Sequence, residues 1–160
     1  MVKKETGMNS MIRVLAVLLL AVGSLSAADR PNLSGTWKAN LDKSDYGPVP
    51  PPTSFTRTVT HAEPSISFLD LQETAIGPQR TERKYSTDGK EIAFDGNGAE
   101  VKSAATWEGS KLVVRSRVDD ASLKIVETIT PAADGKSFES MVHIASPQGD
   151  IDIKVVFEKT

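Results

Sequence analysis

From Leu33 to the C-terminus the chain alternates short β-rich runs with turn signals, and in the clearest runs apolar and polar side chains trade places at each step. The end of the chain shows this most cleanly: Ile151, Ile153, Val155 and Phe157 fall on one face, and Asp152, Lys154 and Glu158 on the other. Leu112, Val114, Ser116 and Val118 form a similar series, as do Leu123, Ile125 and Ile129. A period of two describes a strand with one dry face and one wet face. Turn signals separate these runs at Gly77-Pro78, Asp88-Gly89, Gly96-Asn97-Gly98, Glu108-Gly109, Asp119-Asp120, Asp134-Gly135 and Gln148-Gly149. Glycine supplies the positive φ that tight hairpins require, and Asp and Asn tolerate it. The pattern predicts strands over 33–41, 54–61, 65–74, 79–87, 90–94, 100–107, 111–118, 122–130, 137–146 and 150–158. No stretch carries a 3.6-residue apolar stripe long enough for a helix. The expected fold is all-β, an antiparallel up-and-down β-barrel of about eight to ten strands, because hairpin links favour a meander and closure removes its exposed edges. A two-sheet β-sandwich is the alternative, since local alternation does not fix closure.

Two segments break the alternation. Asp42 to Ser54 contains Gly47-Pro48-Val49-Pro50-Pro51-Pro52, and proline neither donates to a sheet ladder nor leaves the extended polyproline conformation easily. The segment is expected to strap one barrel end, the alternative being a recognition loop for a protein partner. The other is the N-terminus. Lys3, Lys4 and Arg13 flank an apolar run from Ile12 to Val22, and Ser24-Leu25-Ser26-Ala27-Ala28 follows it. Charged, apolar and then small is the order of a signal peptide, and the apolar run is too short for a membrane helix of about 20 residues. The reading is a signal peptide over 1–28, cleaved after Ala28, and a single domain over 29–160, periplasmic or secreted and without a membrane anchor once cleaved.

The chain has no cysteine, which excludes disulfides, thiol catalysis, thiolate-held metal and the lipid-attachment cysteine of a bacterial lipoprotein. A domain of about 130 residues can bury a core without such staples. Taking Lys3, Lys4, Arg13 and Glu5 from the 19 cationic and 21 acidic side chains leaves 16 against 20, a net of −4. The charges are interspersed, with none of the basic clustering that a nucleic-acid partner requires.

Three short motifs carry a family resemblance. Leu33-Ser34-Gly35-Thr36-Trp37-Lys38 resembles the Gly-x-Trp opening strand of the lipocalins and fatty-acid-binding proteins, the calycin superfamily. Trp107-Glu108-Gly109-Ser110-Lys111-Leu112 resembles a late hairpin of the fatty-acid-binding branch, and Val156-Phe157-Glu158-Lys159 the end of its final strand. The chain is also similar to bacterial exported lipocalin-like proteins. The resemblance implies that Gly35 and Trp37 form a structural plug at the narrow barrel end, the ring packed against a basic side chain. It also exposes two departures. The Arg-x-Tyr that clamps a fatty-acid carboxylate on the last strand is replaced by Val155 and Phe157, and the proline-rich loop stands where the family has a helix-turn-helix lid. The family's carboxylate site is therefore not carried over.

Strand parity suggests where polar contacts lie instead. Arg57 shares a face with Phe55 and Val59, Arg83 with Tyr85, and Glu127 sits among Leu123, Ile125 and Ile129. A charge on an apolar face needs a partner or water. The expected arrangement is a partly polar lumen in which Glu127 pairs with Arg57 or Arg83 and a ligand lies against Tyr85 and Trp107; the alternative places these charges at strand ends, in solvent. His61, Glu63 and His143 offer metal-ligand chemistry, but a turn follows His61 and the histidines are far apart, so neither metal nor cofactor is expected. Gly-x-Ser-x-Gly, His-Glu-x-x-His and P-loop patterns are absent, and catalysis is not expected. The sequence thus points to an exported barrel that binds a small hydrophobic or amphipathic molecule. The alternative is a closed-core structural or interaction module, and cavity volume distinguishes the two.

Overall fold

A computed structural model describes residues 30–96 and 98–160. The signal-peptide reading of residues 1–28 lies outside the described residues. Ten antiparallel strands follow one another: β1 (Gly35–Asp45), β2 (Ser54–Ala62), β3 (Ser65–Thr74), β4 (Gly77–Ser86), β5 (Ile92–Asp95), β6 (Glu100–Glu108), β7 (Lys111–Val118), β8 (Leu123–Pro131), β9 (Ser137–Ser146) and β10 (Gly149–Lys159). Helix among the described residues is limited to a single 3-10 turn at Asp119–Ala121. The sheet order is β4-β3-β2-β1-β10-β9-β8-β7-β6-β5, so the meander curls round until its first and last strands pair, with Trp37 opposite Lys159 and Ala39 opposite Phe157. This is the up-and-down barrel expected, and the sandwich is set aside.

The barrel closes less completely between β4 and β6. There the strands share only the isolated bridge Asp88–Thr106, reinforced by the Gly89 amide donating to the Ala105 carbonyl at 2.9 Å. Gly89 has φ +85°, and a Cβ there would stand 3.1 Å from Thr106 Cγ2, so glycine lets the turn lie against the opposite strand.

The largest departure from the expected boundaries is in β1. β1 runs on to Asp45 instead of ending near Leu41, because its register against β10 jumps between Asn40–Val156 and Asp45–Lys154. Such a bulge keeps a strand in the sheet while bending it. Ser44 holds it in place: its hydroxyl donates to the Asn40 carbonyl at 2.7 Å and accepts from the Val156 amide at 3.0 Å. After the bulge the proline strap crosses the barrel end. Gly47, at φ +54°, passes so near the Asp152 carbonyl that a Cβ would lie 3.0 Å from it, and the Thr53 amide ties the far end to the Glu73 carbonyl at 2.8 Å.

The interior is packed at the other end. Trp37 is buried and meets Phe138 edge-on at 4.8 Å, while Phe138 stacks on Phe157 at 4.8 Å. The indole donates to the Leu33 carbonyl at 3.0 Å, and Lys159 Nζ lies 5.3 Å from the ring centroid. Gly35 sits beside this plug, its missing Cβ leaving room for Lys159 Cε. The arrangement of Gly35, Trp37 and a basic side chain is the one the Gly-x-Trp resemblance implies.

Candidate functional site

Toward the strap end the barrel is hollow. A cavity of about 440 Å³ opens there, walled by inward residues of β2, β3, β4, β8, β9 and β10 and covered by Tyr46, Val49, Pro50 and Pro52. The strap is thus part of the wall, and Pro50 and Pro52 border the lumen as a stiff apolar cover. The remaining wall is mixed: aliphatic and aromatic side chains, including Ile125, Val142, Ile144 and Ile153, alternate with polar and charged ones.

A polar layer crosses the barrel where cavity gives way to packed core. Arg57 grips Asp70 with two parallel bonds, Nε to Oδ1 at 2.7 Å and Nη2 to Oδ2 at 2.8 Å, and its Nη1 donates to Glu127 Oε1 at 2.6 Å. Arg83 spans the same two acids, Nη1 to Glu127 Oε2 at 3.0 Å and Nη2 to Asp70 Oδ2 at 2.8 Å. The Ser140 hydroxyl adds a bond to Glu127 Oε1 at 2.8 Å. Arg57, Asp70 and Glu127 are only 4 %, 5 % and 3 % exposed, which overturns the alternative that these charges reach solvent at strand ends. The Arg57 guanidinium also lies 5.0, 5.1 and 5.6 Å from the ring centroids of Phe157, Phe68 and Phe55, where the ring faces attract a cation.

The layer controls its own protonation. Burial alone would push the Glu127 carboxyl up, but Arg57, Arg83 and the Ser140 hydroxyl outweigh it and hold the group well below the usual carboxylate range. Burial would likewise lower Arg57, and Glu127 and Asp70 reverse that effect. Two guanidiniums face two carboxylates, so the layer is neutral as a whole. A buried ion pair contributes little net stability compared with a well-packed apolar alternative, but removing one partner is costly.

Of the residues proposed from sequence, the structure brings Arg57, Arg83 and Glu127 together on the cavity wall. It does not bring Tyr85 or Trp107 there. Tyr85 lies one inward position deeper than Arg83, buried against Phe68 at 5.9 Å. Trp107 sits at the β4–β6 seam, where its Nε1 donates to Glu63 Oε1 at 2.6 Å. Asp70 and Ser140 complete the layer and were not singled out; Asp70 shares the inward parity of Ile66 and Phe68.

Glu63, in the β2–β3 turn, fastens the seam. Besides Trp107 it accepts from the Thr87 hydroxyl and from His61 Nε2 at 2.9 Å. The Leu33 amide donates to His61 Nδ1 at 3.2 Å, which leaves the proton of the neutral ring on Nε2, facing Glu63. His143 is elsewhere, paired with Asp152 at 2.7 Å on the surface. Burial would raise the Glu63 carboxyl, but the bonds from Thr87, His61 and Trp107 lower it to about 2. A depressed carboxylate stabilises the fold fully above its unfolded pKa and loses that contribution as pH falls through the folded value. Glu63→Gln is therefore expected to melt earlier than the parent at neutral pH. The gap in melting temperature should close between about pH 4.5 and about pH 2; a gap that stays constant across that range would contradict the clasp.

The geometry matches solved structures. A secretory abundant heat soluble protein from Ramazzottius varieornatus superposes with a TM-score of 0.63 at 13 % identity, covering 82 % of this chain and 98 % of that one. Caenorhabditis elegans lipid binding protein 8 gives 0.58 at 12 % identity, covering 86 % and 99 %. A zebrafish ileal bile acid-binding protein, solved with cholic acid, gives 0.57 at 16 % identity, covering 80 % and 98 %. The fold is calycin-like. No protein-family model and no curated protein sequence matches the chain, so the relationship rests on architecture alone. Within the calycin-like frame, the last strand turns the apolar Val155 and Phe157 toward the lumen, and the arginines come from β2 and β4.

Proposed function

We propose that the protein is an exported carrier whose lumen binds a small apolar or amphipathic molecule without chemical change. The cavity carries this reading. A volume of about 440 Å³ lies within the range of small-molecule sites, about 300–1,000 Å³, and an apolar wall with a few convergent polar groups is the usual composition of such sites. A barrel filled throughout by its own side chains would have no such space. The structural neighbours that bind bile acid or lipid support the reading by analogy of fold. Export is supported by the charged, apolar and small-residue order of residues 1–28.

The uncharged dye N-phenyl-1-naphthylamine tests the reading. Titrated into the purified protein it is expected to brighten saturably, and Val142→Trp, which places an indole in the lumen, is expected to weaken its binding by about tenfold or more. Native mass spectrometry of the same preparation should show a co-purifying small molecule in the parent protein. Dye binding that Val142→Trp leaves unchanged would remove the lumen as the site.

A further inference from the structure

Resting on that reading, we infer that the lumen takes an uncharged amphiphile bearing a hydrogen-bond-accepting oxygen (an alcohol, ester or ketone) and discriminates against the corresponding carboxylate. The four charged side chains on the cavity wall are Arg57, Asp70, Arg83 and Glu127, and they neutralise one another. Every carboxylate oxygen of the set already accepts from a guanidinium. Neither arginine is left with a charge to offer. An entering carboxylate would exchange water for a wall that offers no uncompensated cation, and a buried unpaired charge is expensive. A neutral ligand avoids that cost.

The polar atoms left over favour an acceptor. Arg83 Nε and the Tyr46 hydroxyl are both buried without a partner, and both belong to side chains that line the cavity, one in the charged layer and one under the strap. Arg83 Nε is a donor only. Burial pushes the Tyr46 phenol up, which keeps its proton available for donation. Each can donate to a ligand oxygen that comes within reach in the lumen, and a neutral oxygen satisfies it without adding charge. Gln72, Thr74 and Thr81 add uncharged polar groups to the same wall.

The experiment compares methyl decanoate and decan-1-ol with decanoate, which share a chain, in displacing N-phenyl-1-naphthylamine at about pH 8, where the acid is ionised. The ester and alcohol are expected to displace the dye at concentrations at least about tenfold below decanoate. Because an unspecific greasy surface would also prefer the neutral compounds, two charge variants make the layer answerable. Asp70→Asn leaves one guanidinium uncompensated and should narrow or reverse the preference. Arg83→Gln leaves one carboxylate in excess and should widen it, which keeps the test available if Asp70→Asn does not fold. Decanoate binding as tightly as the ester in the parent protein, or a preference unmoved by a folded charge variant, would overturn the inference while leaving the binding function standing. Failure of the dye and of all three compounds to bind would overturn both.

Discussion

Glu127→Ala is expected to cost the fold about 3–5 kcal/mol, the typical penalty for removing one partner of a buried ion pair. Glu127 accepts from Arg57, Arg83 and Ser140 at 2.6, 3.0 and 2.8 Å. Its loss leaves two guanidiniums to share the single carboxylate of Asp70, with Arg57 and Asp70 themselves almost sealed from water. Against a total stability of about 5–15 kcal/mol for a domain, the variant should be marginal, with a melting temperature lower by about 10 °C or more. Urea unfolding at neutral pH reads the effect directly. Removing only the Ser140 hydroxyl, as Ser140→Ala, should cost less, about 1–3 kcal/mol, because the acid keeps both cations. Charge balance is the cause, so a compensating change should rescue. Glu127→Gln with Arg83→Gln restores neutrality and should be more stable than the sum of the two single losses implies. Full additivity, or a Glu127→Ala loss below about 1 kcal/mol, would mean that the layer is not a coupled unit.

The layer also explains how the two halves of the barrel divide their work. Below it, Trp37 and Phe138 fill the interior by direct aromatic contact, with Phe157 bridging from that core to the cavity wall; above it, the lumen stays hollow beneath the strap. A fully packed barrel would gain stability from more apolar burial, and an open one would lose core. The ionic layer ends the core without exposing an unpaired charge to the cavity, and the rings of Phe55, Phe68 and Phe157 surround the Arg57 guanidinium.

Much of this was legible in the residues, and what was not has identifiable physical causes. Alternation, together with the turn signals between runs, located all ten strands; β1 was cut short because Asp42 to Asp45 loses its alternation at the bulge, where Ser44 supplies hydrogen bonds that the pattern does not encode. Parity placed Arg57, Arg83 and Glu127 on the inner face correctly. It overlooked Asp70 because β3 also carries Leu69 and Leu71 on its outer face, and Leu71 is 45 % exposed, which blurs the choice of side. Parity reports side and not depth. Tyr85 therefore looked like a lumen residue although it lies one step below the charged layer, and Trp107 likewise although it belongs to the seam. Strand tilt and stagger set depth in a barrel, and they depend on pairings that a single strand does not reveal.

Trp37→Ala is the second large effect expected, about 3–5 kcal/mol, because it opens a cavity in a rigid part of the core. The ring contacts Phe138 edge-on, lies under Lys159 and donates to the Leu33 carbonyl, so truncation removes packing, a cation–π contact and a hydrogen bond together. Trp37→Phe separates these losses. It keeps much of the apolar contact but leaves the Leu33 carbonyl without its donor, which should cost about 1–3 kcal/mol. Tryptophan fluorescence provides a check, since the chain has only Trp37 and Trp107. In Trp107→Phe the remaining indole should emit at short wavelength and resist quenching by iodide, because Trp37 is 2 % exposed. Adding Trp37→Ala to the dye titration distinguishes plug from site. Trp37 does not line the cavity, so at temperatures where the variant remains folded its affinity for the dye should match the parent's while its unfolding midpoint falls. A large loss of affinity in the folded variant would show that the packed half shapes the lumen, and the division at the charged layer would then fail.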